Sequence, residues 1–175
     1  MSNTPDHTSD DEPENADFET CDFGVEDVAE IAQLFRDAIR VTAAGAYSPE
    51  QLAAWAGSAD DEDAFAAALN AGWVRVAVDD VGIVGFAQIN MPGHIAMLYT
   101  APRVARRGVA TLLLDDMLVL GEAMGATKIT VDASIVGRPL FAHFGFVEEC
   151  EELVERHGIS FKRYRMQRSM KRPRK

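Results

Sequence analysis

Between His94 and Gly121 the chain changes its hydrophobic period without a break. The run reads H-I-A-M-L-Y-T-A-P-R-V-A-R-R-G-V-A-T-L-L-L-D-D-M-L-V-L-G. His94 to Thr100 is short and mostly apolar, and Pro92-Gly93 and Pro102 bound it, so it reads as a strand. Ala101 to Arg107 is a loop carrying Arg103, Arg106 and Arg107. From Val109 the apolar residues follow a helical stripe through Leu113, Met117, Leu120 and Met124. Ala110, Leu114, Leu118 and Gly121 form a second stripe beside it. A helix this apolar requires burial against a sheet.

The junction also has chemical consequences. The first amides of a helix lack partners within it, and the helix dipole adds positive character at the same end. Gly108 lets a ligand approach the backbone, because no Cβ intervenes. Neighbouring arginines complete a site suited to phosphate or pyrophosphate. An ordinary turn with solvated arginines is the alternative. The run lacks the G-x-x-x-x-G-K-[ST] signature of nucleotide hydrolases. It also lacks a G-x-G-x-x-G followed by an acidic residue about twenty positions on.

The segment L-Y-T-A-P-x-x-A-R-R-G-V-A-T-x-L-L resembles motif A of the GCN5-related N-acetyltransferases, in which a loop between strand and helix holds the pyrophosphate of acetyl-CoA. The resemblance places Arg106, Arg107, Gly108, Val109, Ala110 and Thr111 on the pyrophosphate. It places Leu98, Tyr99 and Thr100 on the pantetheine. Ala105 departs from the motif, whose first position is usually Gln or Arg. A second segment, G-R-P-L-F-A-H-F-G-F from Gly137 to Phe146, resembles motif B. There the family often carries a Tyr that protonates the departing thiolate. Phe141 occupies that place and has no proton to give, so the resemblance supports it only as a cofactor-packing residue.

With 175 residues and 47% hydrophobic composition, one domain with a full core is expected. The net charge of -11 is uneven. Met1 to Asp22 holds eight acidic residues and no Lys or Arg, so residues 1–17 read as a disordered acidic leader. Residues 18–170 are expected to form a single acetyltransferase domain, and 171–175 a basic frayed tail. Arg163, Arg165 and Arg168 precede that tail; a solvated strand face is preferred over a nucleic-acid footprint, which usually makes a whole domain basic. No secretory signal and no membrane-length apolar run is visible. Cys21 and Cys150 read as reduced thiols of a cytoplasmic protein, and no His or Cys spacing suggests a metal.

The remaining elements follow in order. Phe18 to Cys21 reads as a short strand and Val25 to Val41 as an amphipathic helix. Ser48, Pro49 and Gln51 announce a capping box and a second helix. Asp60 or Asp61 caps another. Trp73 to Val78 and Ile83 to Ile89 form a hairpin around Asp79-Asp80-Val81-Gly82. Gly125 closes the long helix. Lys128 to Ser134 is a strand reached by a parallel crossover. Glu148 to Val154 and Ile159 to Met170 form a last hairpin. The resemblance implies an α/β (α+β) fold: a mixed, mostly antiparallel central sheet of about six to seven strands flanked by about four helices.

The reaction implied by the resemblance is acetyl transfer from acetyl-CoA to a primary amine, with a small-molecule acceptor preferred and a homodimer left open. His94, at the start of the central strand, is the candidate base because imidazole titrates near neutrality. Tyr164 is a second candidate for proton transfer. Tyr47 and Trp55 are core residues by composition; the resemblance makes them candidates for the acceptor pocket. Two alternatives stand beside this reading: an acetyl-CoA-binding regulatory domain without turnover, or an enzyme acting on protein lysines or N-termini.

Overall fold

The computed structural model of the protein describes residues 18–170. The acidic leader and the basic tail lie outside the described residues. Seven strands form one sheet: β1 (Glu19–Asp22), β2 (Trp73–Asp79), β3 (Gly82–Asn90), β4 (His94–Thr100), β5 (Lys128–Ala133), β6 (Val147–Arg156) and β7 (Ile159–Ser169). Their order is β1-β2-β3-β4-β5-β7-β6. All pairings are antiparallel except β4 with β5. The expected mixed, mostly antiparallel sheet is therefore observed, with five α-helices rather than about four. These are α1 (Val28–Asp37), α2 (Pro49–Ala56), α3 (Glu62–Leu69), α4 (Val109–Ala123) and α5 (Arg138–His143).

Local sequence accounts for most boundaries. Ser48 caps α2 by accepting from the Gln51 amide, and the Gln51 side chain accepts from the Ser48 amide in return. Asp61, not Asp60, caps α3. The helix read as Val25 to Val41 is less regular: a 3-10 turn precedes α1, and a π-turn (Ala38–Thr42) follows it. The end of α4 is a Schellman motif. Gly125 is left-handed, its amide donates to Glu122, and the Ala126 amide donates to Gly121.

The helices divide between the two faces of the sheet. On one face Val109, Leu113, Leu114, Met117 and Leu118 of α4 pack with Phe141 of α5 on Val84, Ile89, Ile95, Val131 and Met166. On the other, Ile31, Leu34 and Phe35 of α1 pack with Phe65 and Leu69 of α3 on Val74, Val76 and Phe86. The helical stripes of α4 explain its depth in the core. Gly85 lets α4 lie close on β3: a Cβ there would stand 2.9 Å from Leu113 Cδ1 and 3.0 Å from Val109 Cγ1. The two cysteines are exposed, on β1 and β6 at opposite edges of the sheet, so they cannot pair within one chain. No helix among the described residues is long and apolar enough to cross a membrane.

One polar residue sits deep in this packing. Gln88 is 1% exposed, and its Nε2 donates to the carbonyls of Ala68 (2.7 Å) and Leu69 (2.8 Å). Those are C-terminal carbonyls of α3; the Ala68 carbonyl also accepts from the Ala71 amide at 3.3 Å. Gln88→Leu is expected to strip the Leu69 carbonyl of the Gln88 donor, to leave the Ala68 carbonyl with only the 3.3 Å bond from the Ala71 amide, and to destabilise the protein by about 1–3 kcal/mol. Urea unfolding should show a lower midpoint with an unchanged slope; an unchanged midpoint would remove Gln88 as the anchor of α3.

Candidate active site

The site begins where the sheet comes apart. β4 and β5 pair through only two positions, His94 with Thr130 and Ile95 with Val131. Beyond them the strands diverge, so the β5-facing edge of β4 is left open. The register of β4 against β3 shifts at this point: Gln88 pairs with Met97 but Ile89 pairs with Ile95, leaving Ala96 as the extra residue of a bulge. The bulge resets the alternation of side chains. Ile95 and Leu98 lie with the α4 face, whereas Met97 and Tyr99 lie with the α1 face. A cavity of about 800 Å³ opens along the gap, with β4, β5, the α1–α2 segment, α5 and the β6–β7 hairpin around it.

The three loop arginines have three different positions. Arg103 grips Asp79 with both terminal nitrogens, at 2.5 and 3.0 Å, and holds that carboxyl well below the usual carboxylate range. This pins the loop to the β2–β3 hairpin. Arg106 has a left-handed backbone (φ +62°) and lines the cavity. Arg107 turns the other way and lays its guanidinium over the Phe18 ring at 5.1 Å. Gly108 is also left-handed (φ +89°), and a Cβ there would meet nothing within 4 Å. The space before the first turn of α4 is thus open. The first helical bond of α4 is donated by Leu112 to Gly108. The amides of Val109, Ala110 and Thr111 precede it and have no acceptor within the helix. The Val109 side chain is buried in the core, while Ala110 lines the cavity.

Leu98, Tyr99, Thr100 and Phe141 also line the cavity with Arg106 and Ala110, whereas Arg107, Gly108, Val109 and Thr111, also expected from sequence, are not among its lining residues. Phe141 is 4% exposed and meets Phe146 edge-on, with ring centroids 5.3 Å apart. Tyr47 and Trp55 close the opposite wall. The Tyr47 hydroxyl accepts from the Ile135 amide at 2.9 Å and donates to the Lys162 carbonyl at 3.3 Å. Trp55 Nε1 donates to the Tyr99 hydroxyl at 3.2 Å. Burial pushes the Tyr47 hydroxyl up and the Tyr99 hydroxyl up to about 12, so both stay protonated near neutrality.

His94 lines the cavity at the first of the two paired positions of β4 and β5, with Nδ1 3.0 Å from Thr130 Oγ1. When Nδ1 carries the proton and donates to Thr130, Nε2 is left as the free acceptor. Tyr164 lies elsewhere. It pairs with Ala133 on β7, and strand alternation turns it to the α4 face, beneath the Arg138 guanidinium at 4.3 Å. It does not line the cavity; Phe161 and Arg163 take the cavity-facing positions of β7.

Sequence reasoning missed several residues of this wall. Asp132 joins Arg163 (3.0 Å) and Arg165 (3.3 Å), and Glu152 joins the same two arginines at 2.8 and 3.4 Å. The two basic residues read as part of a basic end therefore face carboxylates. The signal was present in the alternation of Lys128 to Ala133: Ile129, Val131 and Ala133 point to the core, leaving Thr130 and Asp132 on a polar face. Arg156 on β6 also lines the cavity.

Comparison with known proteins agrees with this geometry. The acetyltransferase (GNAT) domain family matches residues 43–168. The uncharacterized N-acetyltransferase YafP of Escherichia coli (strain K12) is 34% identical over 140 residues, covering 80% of this chain and 88% of that protein. A GCN5-related N-acetyltransferase from Rhodopseudomonas palustris, described as an aminotransferase of class II, superposes with a TM-score of 0.85. It is 37% identical, and the match covers 87% of this chain and 95% of that one. The PaiA N-acetyltransferase of Thermoplasma acidophilum, solved with coenzyme A, shares the fold at a TM-score of 0.66 and 15% identity, over 87% of this chain and 99% of that one. The chain belongs to the GNAT acetyltransferase family and is an N-acetyltransferase.

Burial lowers the His94 pKa from its ordinary 6.5, outweighing the pull of Asp132 in the other direction. The unfolded chain then binds the proton more tightly than the folded one. Stability linked to His94 is complete above pH 6.5 and declines as pH falls towards the folded pKa. A proton NMR titration is expected to give a midpoint below 6.5 for this ring, and His94→Asn should flatten that part of the stability profile. A midpoint above 6.5 would mean that Asp132, not burial, dominates.

Proposed function

We propose that the protein transfers the acetyl group of acetyl-CoA to the primary amine of a small molecule. The observation that carries this reading is the coincidence of the open β4 edge with the open N-terminus of α4. Acetyl-CoA would supply the acetyl donor as a thioester. The residues present fit it. The amides of Val109, Ala110 and Thr111 and the Arg106 guanidinium form a pyrophosphate site. The unpaired backbone of Leu98 to Thr100 offers hydrogen bonds to an extended amide-bearing chain. Phe141 packs beside it. The tie from Tyr47 to Lys162, with that from Gln51 Nε2 to the Ser160 carbonyl at 2.7 Å, spans the acceptor wall and favours a small acceptor over a protein segment.

In this reaction the amine nitrogen attacks the thioester carbon, the C–N bond forms and the C–S bond breaks. His94 Nε2 takes the proton that the amine sheds. Its lowered pKa keeps it neutral at pH 7, as a base must be.

Two measurements test the reading. Acetyl-CoA is expected to raise the melting temperature, by mass action. Arg106→Ala should weaken this binding more than Arg107→Ala does, because Arg107 lies over Phe18. Gly108→Asp should abolish it; equal binding by all four proteins would place the pyrophosphate elsewhere. His94→Ala should lower turnover by about two to four powers of ten and remove an acid limb centred below pH 6.5. Full activity of His94→Ala between pH 6 and 9, roughly the range over which an imidazole base shows itself, would assign the base to another group.

A further inference from the structure

The wall opposite the α4 terminus carries a charge that no side chain among the described residues neutralises. Tyr47, Trp55 and Phe161 build its apolar part, with Tyr47 and Trp55 edge-to-face at 5.3 Å and Trp55 and Phe161 at 6.4 Å. The hydrogen-bonding groups of Tyr47 and Trp55 are committed to Ile135, Lys162 and Tyr99. The cations on the wall are mostly committed as well. Arg163 is held between Asp132 and Glu152, and Lys162 pairs with Glu151 at 2.9 Å. Arg156 is the exception. Its strand alternation places it with Val154 on the cavity side of β6, opposite Ile159, and among the described residues it forms no ion pair. Its charge reaches the cavity: it pulls down the hydroxyl pKa of both Tyr47 and Tyr99 against their burial.

An acceptor seated here meets half-buried His94, the aromatic surface of Tyr47, Trp55 and Phe161, and the exposed, unpaired guanidinium of Arg156. From this arrangement we infer that the acceptor is an amine carrying a carboxylate on the end remote from the amine, with a planar apolar body between, and that Arg156 receives the carboxylate. A single guanidinium matches a monoanion in a two-pronged arrangement. A phosphate dianion would call for a second uncommitted cation, and Lys162 already has Glu151. The amine is directed towards His94 because the opposite orientation would set an ammonium against Arg156. This inference rests on the acetyl-transfer reading for the direction of the acceptor, but Arg156 can be tested without turnover.

The experiment uses three probes with one ring and one amine: 4-(aminomethyl)benzoate, its neutral analogue 4-(aminomethyl)benzamide, and benzylamine. In the wild-type enzyme KM for the benzoate is expected to be about tenfold to a hundredfold below that for the benzamide, the usual worth of a hydrogen bond to a charged group. Arg156→Gln should bring the ratio of the two close to one, acting on KM rather than kcat. Arg156→Lys should restore part of the preference. Calorimetric binding of the benzoate to the protein without acetyl-CoA, wild type against Arg156→Gln, reads the same contact in the absence of chemistry. If no amine turns over but the benzoate binds through Arg156, the acetyl-transfer reading fails and the carboxylate site stands. If the benzoate shows no advantage in either assay, or Arg156→Gln keeps it, the inference is wrong.

Discussion

The separation of β4 from β5 governs the rest of this molecule. A sheet interior normally satisfies every backbone amide and carbonyl through its neighbours, and an unpaired buried group is costly. Here the two central strands hold together at His94–Thr130 and Ile95–Val131 and then part. The extra residue at Ala96 marks the point of divergence, as a bulge increases local twist and bends its strand. The polar edge that results is sustainable only beside water or a ligand that can hydrogen-bond to it. The cavity and the function built on it follow from that opening.

The flanking elements hold the gap at fixed dimensions. On one side Gly85 admits α4 close to β3, so the open amides of its first turn stand beside the open strand edge. On the other side Tyr47 bridges the β5–α5 connection and β7 through Ile135 and Lys162. The Asp132–Arg163–Glu152–Arg165 network lies across β5, β7 and β6 next to the cavity. Its two acids and two bases cancel, so it contributes rigidity to the wall without imposing a net charge. That leaves Arg156 and the α4 terminus with Arg106 as separate sources of positive potential around the cavity.

What could be read in the sequence was what local patterning determines. The α4 stripes, the Ser48 capping box and the β2–β3 hairpin each depend on a few adjacent residues, and each appears as read. The junction proposed to hold pyrophosphate could be picked out because its loop and helix start are contiguous. The orientation of its arginines was not. Whether Arg106 or Arg107 enters the cleft depends on left-handed backbone at Arg106 and Gly108, on either side of Arg107, and on Phe18, which is remote in sequence. The same limit applies to Tyr164, whose face is fixed by the register of β7 on β5. It applies again to Asp132 and Glu152, whose arginine partners come from a different strand. Gln88 gives no sign in sequence that it caps a helix nineteen residues upstream.

Phe141 indicates how the proposed chemistry distributes its demands. A tyrosine there would bring a hydroxyl into a pocket where Phe146 stands edge-on, and the neighbouring Ser134 Oγ already accepts from the Gly137 amide at 3.0 Å. A phenyl ring suits that space. A thiol with a pKa near 8.5 leaves tolerably as its anion, so the step does not require a strong acid. It requires the amine to be neutral and close. In the proposed reaction His94, held by Thr130, is the group that would meet the first need, and the wall of Tyr47, Trp55 and Phe161 the one that would meet the second. Restricting a bound acceptor to a reactive geometry can supply several kcal/mol of the barrier by itself. In such a site the residues that confine the acceptor contribute to the rate beside the group that exchanges a proton, while a charge at the rim of the cavity acts on the affinity with which the acceptor is held.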